Sequence, residues 1–381
     1  MEPSTRLSRR LLLRAGCALG LGCLGAAPPL EAAPRFPAAG VREAAHYRKL
    51  AGGQVRCDLC PCSPTDGFCG FLSEGEVCAC RVRFNRGGKL YVSNYGQIAT
   101  LQLDPVEKNP VYHFRPGSRS LALGTAGCNM ACSCCQNWEL SQSGVEKVRN
   151  MAITPARAVD RALENGCGSI SYTFTEPVVF FEYVRDTARL ARARGLKNCL
   201  VTGGYVNPEP ARELGGLVDT VSVSIKALTE KDYQKHCKGS LEVIQAALKA
   251  FQQGGAWVEV AFLVVPGISD DPAGIGRLCG WIRKELGSEV PVHFSRFFPE
   301  YRMKYLPPTP VASLEAARKA ALARGLKYVY IGNVAGHDAN NTRCPGCREL
   351  LVQRLGFKVL KNRLQSGRCP RCRTSLPGTW V

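Results

Sequence analysis

The stretch Gly127-Cys-Asn-Met-Ala-Cys-Ser-Cys-Cys-Gln-Asn-Trp-Glu139 carries the cysteine spacing on which our interpretation of this chain depends. Within it, Cys128, Cys132 and Cys135 form a Cys-x3-Cys-x2-Cys triplet. Three thiolates this close in one loop can bind three corners of a 4Fe-4S cube, whereas iron–sulfur clusters normally take four cysteines. The fourth iron is then left without a protein ligand. The amino and carboxylate groups of S-adenosylmethionine (SAM) can fill that open position.

Short apolar runs alternate with amphipathic stretches between residues 120 and 335, and this alternation predicts the fold. The predicted strands are 120–125, 169–174, 199–202, 218–225, 257–264, 290–294 and 328–332. The predicted helices are 155–165, 182–194, 241–253, 275–286 and 313–324. Such alternation implies parallel βαβ units. We therefore predict an α/β fold, a partial or complete (β/α) barrel, with the triplet at the C-terminal end of its first strand, where barrel active sites are built.

A structural zinc site is the alternative interpretation of the triplet, with Cys134 as the fourth ligand. Cys134 and Cys135 are adjacent in the chain, and two neighbouring cysteines cannot easily share one small ion. The position of the loop after the first predicted strand also favours the iron–sulfur cluster.

Chain length and cysteine content limit the class of protein to which this chain can belong. The chain has 381 residues, of which 45% are hydrophobic, and its 20 cysteines come in bursts. A disulfide scaffold would be shorter and denser in cysteine, so paired cysteines in a long α/β-patterned chain indicate metal sites. We divide the chain into a signal segment (1–35), a cysteine-rich metal-binding segment (55–119), the barrel (120–335) and a C-terminal cysteine segment (340–381).

The formal net charge of +19 suggests an acidic partner, such as nucleic acid or an anionic membrane. Solvated helix faces rich in Arg and Lys explain the charge at least as well. No basic residues interleaved with aromatics mark a nucleic-acid platform, so nucleic acid is a disfavoured partner.

The first residues resemble a targeting segment. Ser8-Arg9-Arg10-Leu11 has the twin-arginine pattern, and the Gly/Ala/Leu stretch that follows is too short and glycine-rich for a membrane span. Twin-arginine signals mark exported proteins, which predicts a periplasmic or membrane-associated location. SAM and low-potential electrons are made in the cytosol, so a cytoplasmic location is the alternative.

The C-terminal segment has a second metal-ligand pattern. Cys344-Pro-Gly-Cys347 and Cys369-Pro-Arg-Cys372 are two knuckles separated by 21 residues. This spacing is typical of a zinc ribbon, in which four thiolates close the coordination shell and stabilise the fold.

The N-terminal segment contains a third group of cysteines. Cys57, Cys60, Cys69 and Cys80 make a set of four ligands, with Cys62 and Cys78 as competitors. Either zinc or a second iron–sulfur cluster would suit them, so the sequence leaves this metal undetermined.

Polar residues at other predicted strand ends are candidates for binding SAM. Thr175 and Glu176 end the second strand, and the carboxylate can bond the amino group of SAM. Lys226 and His293 lie at further strand ends, where they can contact the SAM carboxylate or the substrate. The alternatives are a helix-capping Glu, a solvated Lys and a His satisfied within the core.

Several motifs together resemble a known family. They are 104–118 (DPVEKNPVYHFRPGS), the triplet with 136–139 (QNWE), 175–177 (TEP), 293–299 (HFSRFFP), 332–337 (GNVAGH) and the terminal knuckles. At these positions the chain resembles the radical SAM enzymes of the AmmeMemoRadiSam system, which are relatives of pyruvate formate-lyase activating enzyme. The resemblance covers nearly everything from residue 55 to 381. It differs at Gly203-Gly-Tyr205, where such relatives read Asn-Gly-Tyr, and at Ser224-Ile-Lys226, where they read Asp-Leu-Lys.

The resemblance implies a partial barrel with a 4Fe-4S cluster on the triplet and SAM bound partly by Glu176. The expected chemistry is one-electron cleavage of SAM to a 5′-deoxyadenosyl radical, which removes hydrogen from a substrate. The partners are then SAM, an electron donor and a substrate that the sequence does not identify, a glycyl-radical site on another protein being one option. Two other classes remain as alternatives: a non-enzymatic metal-ribbon protein that binds nucleic acid, and an exported iron–sulfur electron carrier.

Overall fold

The structure, a computed structural model, describes residues 40–61 and 70–380. The predicted signal segment, Cys62 and Cys69 lie outside the described residues. No helix in the described ranges is both long enough and apolar enough to cross a membrane.

Residues 40–98 form small antiparallel sheets. Their strands are β1 (Arg42–Glu43), β2 (Tyr47–Lys49), β3 (Val55–Cys57), β4 (Phe71–Leu72), β5 (Arg83–Arg86), β6 (Lys89–Val92) and β7 (Gln97–Ile98). β1, β6 and β5 form one sheet, and β2, β3 and β4 form another. The turn between β5 and β6 is Gly87-Gly88, with φ of 61° and 68°. A two-residue hairpin turn of this type needs positive φ at both positions, which glycine adopts without strain.

An eight-stranded sheet forms the centre of the chain. The next strands along the chain are β8 (Thr100–Pro105), β9 (Arg119–Gly124), β10 (Met151–Ala152), β11 (Ser169–Tyr172), β12 (Lys197–Thr202), β13 (Thr220–Ile225), β14 (Trp257–Val264), β15 (Val292–Arg296) and β16 (Val329–Gly332). β10 pairs with β7, and the others form the sheet in the order β16-β15-β14-β13-β12-β11-β9-β8. Every neighbouring pair in it is parallel except β8–β9. The predicted α/β class with parallel βαβ units is confirmed, while β8 lies within the segment that we assigned to the N-terminal region.

Helices connect the parallel strands. They are α1 (Trp138–Ser141), α2 (Pro155–Glu164), α3 (Phe181–Ala193), α4 (Pro208–Leu217), α5 (Glu230–Cys237), α6 (Leu241–Gln253), α7 (Pro272–Glu285) and α8 (Val311–Ala323). α2 begins as its sequence indicates, because the Thr154 hydroxyl accepts a hydrogen bond from Arg157 N and Pro155 occupies the first turn. α4 and α5 were not predicted: α4 contains glycine and proline, and α5 is polar apart from buried Tyr233 and Cys237.

The C-terminal residues form a small antiparallel sheet that packs against the barrel. Its strands are β17 (Thr342–Arg343), β18 (Leu350–Leu355) and β19 (Lys358–Asn362). Arg354 of β18 is buried, and its Nη2 donates a hydrogen bond to Tyr112 O at 2.9 Å. Its Nε lies 3.7 Å from the equally buried Glu107 carboxylate. These contacts fix the C-terminal sheet to the segment that follows β8.

That segment, residues 106–114, crosses the interior of the sheet. Hydrogen bonds join it to Ser171 on β11, Ser222 on β13, Glu259 on β14 and Tyr330 on β16. A segment that contacts strands from β11 to β16 lies inside the curve of the sheet. β16 and β8 do not pair in the part of the chain that the structure describes. The sheet is therefore an open, partial barrel, and the complete barrel of our two alternatives is not observed.

The carboxylate of Glu259 anchors this inner segment. It is fully buried and accepts hydrogen bonds from Tyr112 N (2.9 Å), His113 N (2.8 Å), Trp257 Nε1 (3.2 Å) and His293 Nε2 (2.7 Å). Burial alone raises the pKa of Glu259, but the hydrogen bonds and charges of His293 and His113 together outweigh it and leave that pKa below its ordinary value. Glu259 is therefore ionised in the folded protein although it is buried inside the barrel.

We expect the barrel to lose stability in mild acid because of His113. Its Nδ1 lies 2.7 Å from Pro377 O, a pure acceptor, so Nδ1 carries the proton and Nε2 accepts from Tyr330 OH at 2.8 Å. Burial lowers the pKa of His113 from 6.5 to about 4. The folded state holds this ring neutral, so its contribution is complete above pH 6.5 and is lost as the pH falls to about 4.

The loss should amount to about 3 kcal/mol over that window. His113→Gln should be less stable at neutral pH but show a shallower fall in the free energy of unfolding between pH 6.5 and 4, measured by urea denaturation. Parallel pH curves for the native chain and the variant would contradict this assignment.

Candidate active site

The carboxyl ends of the parallel strands open into one cavity of about 630 Å³. Its lining includes Cys128, Cys132 and Cys135 after β9, Thr175 and Glu176 after β11, Gly203 after β12, Ser224 and Lys226 from the end of β13, His293 on β15 and Asn333 after β16. The structure therefore brings the triplet and all four predicted strand-end residues into the same cavity.

The loop that carries the triplet is held by α5. Ala131 N donates to Cys237 O at 2.9 Å, and Ser133 N donates to His236 O at 2.7 Å. Both acceptors are carbonyls of the last turn of α5, which have no partner within a helix. The irregular loop and the end of α5 thus satisfy each other's backbone hydrogen-bonding groups. This contact holds the cysteines at a defined spacing.

The thiols of this loop differ in their tendency to ionise. A hydrogen bond with the Cys237 thiol lowers the pKa of Cys132 to about 7. Burial raises the pKa of Cys134 to about 12 and that of Cys128 well above its ordinary value. Cys135 Sγ lies 3.4 Å from Ser141 Oγ. Metal binding requires thiolates, so a bound cation would have to stabilise Cys128 in particular.

The Glu176 carboxylate is buried but well provided with donors. Oε1 accepts from Thr202 Oγ1 at 2.6 Å and from Val178 N at 3.2 Å, and Oε2 accepts from Gly203 N at 2.7 Å. Burial nevertheless raises its pKa above the ordinary value. The donors fix the orientation of the carboxylate, and a ligand ammonium would stabilise its ionised form. Glu176 also caps the short helix Pro177–Phe180, so the alternative capping role and a ligand-binding role coexist.

Lys226 provides a cation beside this carboxylate. Its Nζ donates to Ser224 O at 3.2 Å. Burial lowers the pKa of Lys226, but the neighbouring cysteine sulfur atoms and Glu176 together outweigh it and leave that pKa above the ordinary value. The ammonium is therefore charged at the cavity wall, next to the triplet.

His293 and Thr175 make protein contacts in addition to lining the cavity. His293 is 2% exposed and its Nε2 is committed to Glu259, so this residue is tied to the barrel floor. Thr175 Oγ1 donates to Thr125 O at 2.8 Å, joining the ends of β11 and β9. The contacts of His293 fit the alternative of a histidine satisfied within the core, and Thr175 also makes a structural contact.

The cavity has the donor groups that a 4Fe-4S cluster and SAM require. Three cysteines share one wall, and a carboxylate and an ammonium lie beside them, matching the amino and carboxylate groups of an amino acid. Gly203 leaves room for Met130 at this wall, because an added Cβ would collide with the methyl group of Met130 and lie 3.2 Å from Glu176 Oε2. The residues present therefore fit both groups.

The C-terminal cysteines form a compact set. The sulfur atoms of Cys344, Cys347, Cys369 and Cys372 all lie within 4.8 Å of one another, with Cys344–Cys372 at 3.4 Å and Cys347–Cys369 at 3.6 Å. A tetrahedral ion with Zn–S bonds of about 2.3 Å needs sulfur atoms about 3.8 Å apart. The four cysteines can hold one such ion.

Of the N-terminal cysteines, Cys57, Cys60, Cys78 and Cys80 are buried within the described ranges. Cys69 of the predicted set and its competitor Cys62 lie outside them. Cys57 ends β3, and the carbonyl oxygen of Cys80 lies beside Gly127 at the start of the triplet loop.

Comparisons with known proteins decide the family. The sequence profile of the radical SAM superfamily matches residues 123–278, which contain the triplet, Glu176 and Lys226. An uncharacterised protein of Methanocaldococcus jannaschii, MJ0808, is 41% identical over 334 residues, covering 87% of this chain and 98% of that protein. The chain belongs to the radical SAM superfamily.

Other matches are more distant. Pyruvate formate-lyase 1-activating enzyme of Escherichia coli is 26% identical over 178 residues, covering 45% of this chain and 71% of that enzyme. The solved structure of Streptococcus suis SuiB bound to precursor peptide SuiA has a TM-score of 0.47 at 14% identity, covering 61% of this chain and 52% of that chain. The protein is an enzyme of the radical SAM type, so the two non-enzymatic alternatives are set aside.

Sequence reasoning missed two residues of this radical SAM site. Cys237 has no other cysteine at metal-ligand spacing in the sequence, yet its thiol contacts Cys132 and its carbonyl holds the loop. Met130 fills the space that Gly203 leaves. The sequence could have pointed to Cys237 only through its position at the end of α5. That helix is hard to predict, because it is polar and has no clear apolar periodicity.

Gly127 provides a test of how the loop is docked. Its φ is +93°, and an added Cβ would lie 2.6 Å from Cys80 O. Gly127→Ala should therefore suffer both left-handed strain, about 1–2 kcal/mol, and overpacking, about 1–3 kcal/mol. We expect a lower free energy of unfolding in urea and less iron after reconstitution.

Gly166→Ala is the matched control, because Gly166 has φ +62° but open space around it. It should show the strain alone, with iron binding unchanged. Equal losses of stability in both variants would show that Cys80 does not press on the loop.

Proposed function

We propose that this enzyme binds a 4Fe-4S cluster through Cys128, Cys132 and Cys135 and cleaves SAM reductively. When bound, the cluster and SAM supply a 5′-deoxyadenosyl radical that abstracts hydrogen from a substrate. The observation that carries this proposal is the single cavity in which the three cysteines meet Glu176 and Lys226.

The protein's own contribution is to bind and orient SAM. Glu176, held by Thr202 and Gly203, would accept hydrogen bonds from the SAM ammonium. Lys226 would donate to the SAM carboxylate, with its charge maintained by the neighbouring sulfur atoms. Because both groups are already fixed by the fold, little reorganisation accompanies binding. His293, held by Glu259, would support the far side of the cavity toward the substrate.

A protein substrate fits the open side of the cavity best. Phe298 and Phe357 line the cavity and are 41% and 43% exposed, so two aromatic side chains flank its mouth. The adjoining strand β19 contains Lys358 and Lys361, which carry positive charge. Exposed aromatic side chains are enriched at surfaces that bind polypeptides. Motifs shared with the AmmeMemoRadiSam enzymes support assignment to that group within the superfamily, and resemblance to activating enzymes supports a protein target.

The C-terminal cysteines are proposed to bind zinc in a structural role. Their four sulfur atoms close the coordination shell, and the sheet that they belong to holds the inner segment through Arg354. A closed site leaves no position for a substrate or water.

Cys128→Ala tests the proposed reaction. After anaerobic reconstitution, the native protein should release 5′-deoxyadenosine under reducing conditions, and the EPR spectrum of its reduced cluster should change on addition of SAM. The variant should lose both signals while keeping its zinc, because the C-terminal site is separate.

Cys134→Ala is the matched control from the same loop. Cys134 stands outside the Cys-x3-Cys-x2-Cys triplet and directly adjoins Cys135, so this variant should retain cluster and activity. If Cys134→Ala abolishes the cluster, or if the native protein shows no SAM-dependent change, the ligand assignment is wrong.

We also propose that residues 1–35 direct twin-arginine export. The support is Arg9-Arg10 followed by a weakly apolar stretch. Residues 1–40 fused to a reporter should be exported, and changing Arg9 and Arg10 to Lys should retain the reporter in the cytoplasm. Export that is unaffected by the double change would contradict a twin-arginine signal.

A further inference from the structure

The C-terminal sheet ends in a strand with one free edge. β19 (Lys358–Asn362) pairs antiparallel with β18, and no strand within residues 40–61 and 70–380 pairs with its other side. Four of its side chains are exposed, so this edge is accessible. A free edge presents unpaired backbone N–H and C=O groups, to which an extended chain can add as a further strand.

Large apolar side chains accompany this free edge. Leu355 and Leu360 are 53% and 49% exposed, and Phe357 at the hairpin turn is exposed as well. Lysines on a strand edge commonly prevent association, which is the alternative interpretation of Lys358 and Lys361. Three exposed apolar side chains on the same hairpin do not fit an edge that is only protected, because such groups favour association.

The C-terminal segment also carries a large excess of positive charge. Residues 341–381 contain nine Lys and Arg residues and one acidic residue, Glu349. Glu349 is already paired with Arg363 at 2.7 Å. Lys358 and Lys361 form no ion pair with a carboxylate in the part of the chain that the structure describes. The edge therefore favours an acidic partner, and like charges disfavour its pairing with a second copy of itself.

The hairpin that contains this edge reaches the mouth of the active-site cavity. Phe357, in the turn between β18 and β19, lines the cavity together with Phe298. β19 begins directly after that turn, and its 5 residues extend about 17 Å. A segment paired with β19 would therefore have one end beside the cavity mouth.

A polypeptide fits these features better than a nucleic acid does. Phosphates would meet the lysines, but they would leave the backbone groups of the edge and the Leu360 side chain without partners. Single-stranded nucleic acid is usually held on aromatic side chains that stack successive bases, and β19 itself contains no aromatic residue.

We propose that the free edge of β19 binds an acidic, extended segment of the protein substrate as an added strand. Backbone hydrogen bonds would hold the segment, its acidic side chains would meet Lys358 and Lys361, and its apolar side chains would contact Leu360. The residues next to the bound segment then lie at the cavity mouth beside Phe357. Docking stands on the C-terminal sheet alone, whereas the identity of the docked chain as the substrate rests on the proposed function.

A synthetic peptide tests strand addition without knowledge of the substrate. The probe is a fluorescently labelled peptide that alternates glutamate and valine and is long enough to span β19. We expect it to bind the reconstituted native protein, measured by fluorescence anisotropy. A counterpart methylated at every internal amide nitrogen should bind about tenfold more weakly or worse, because it has lost the donors for strand pairing. Equal affinity for both peptides would overturn strand addition.

Lys358→Glu combined with Lys361→Glu tests the charge requirement. This variant should bind the glutamate peptide about tenfold more weakly or worse, and should bind a lysine–valine peptide more tightly than the native protein does. Its urea midpoint and zinc content should match those of the native protein. Arg189→Glu combined with Lys284→Glu, at exposed positions of α3 and α7, is the matched control and should leave both affinities unchanged.

The remaining outcomes separate this proposal from its alternatives. An equal loss of affinity in the control variant would overturn the role of this edge. A native protein that binds single-stranded RNA but not the glutamate peptide would show nucleic acid as the occupant. A dimer in sedimentation that the Lys358→Glu and Lys361→Glu changes disrupt, without peptide binding, would show a second copy. If the native protein binds the peptide but releases no 5′-deoxyadenosine, only the proposed function fails.

Discussion

The loop from Gly127 to Cys135 has no regular secondary structure, and the rest of the site depends on the contacts that fix it. The last turn of α5 accepts two of its backbone N–H groups, Tyr205 O accepts a hydrogen bond from Asn129 Nδ2 at 2.6 Å, and Cys80 packs against Gly127. Three separate parts of the chain therefore set the spacing of three cysteines. The cysteine-rich segment that precedes the barrel therefore forms one of the surfaces against which the triplet loop packs.

A second constraint acts at the opposite end of the barrel. The inner segment 106–114 is fixed by the Glu259 carboxylate and by Arg354 from the C-terminal sheet. Buried charges are tolerated there because each is hydrogen-bonded. His293 connects this end of the barrel to the cavity, because it hydrogen-bonds to Glu259 and also lines the cavity. The C-terminal sheet thus supports the cavity floor through Arg354.

Local sequence patterns predicted residues that the structure brings together in the cavity. The triplet spacing, Glu176 at a strand end and the parallel strands all depend on signals within a few residues, and the α/β fold is confirmed. Cys237, the inner segment and the contact of Cys80 with Gly127 depend on pairings across many residues, which periodicity does not reveal. The structure shows what the two residues that differ from the family pattern do. Gly203 leaves room for the Met130 side chain, and its backbone N–H donates a hydrogen bond to Glu176. The backbone carbonyl of Ser224 accepts a hydrogen bond from Lys226 Nζ.

The central claim is that three cysteines leave one iron for SAM, which Glu176 helps to orient. Electron–nuclear double resonance of the reduced protein with SAM labelled by ¹⁵N at the amino group and ¹⁷O at the carboxylate tests it most directly. We expect hyperfine coupling of both nuclei to the cluster in the native protein, and weakened coupling in Glu176→Gln. Absence of both couplings in SAM-saturated native protein would contradict the account.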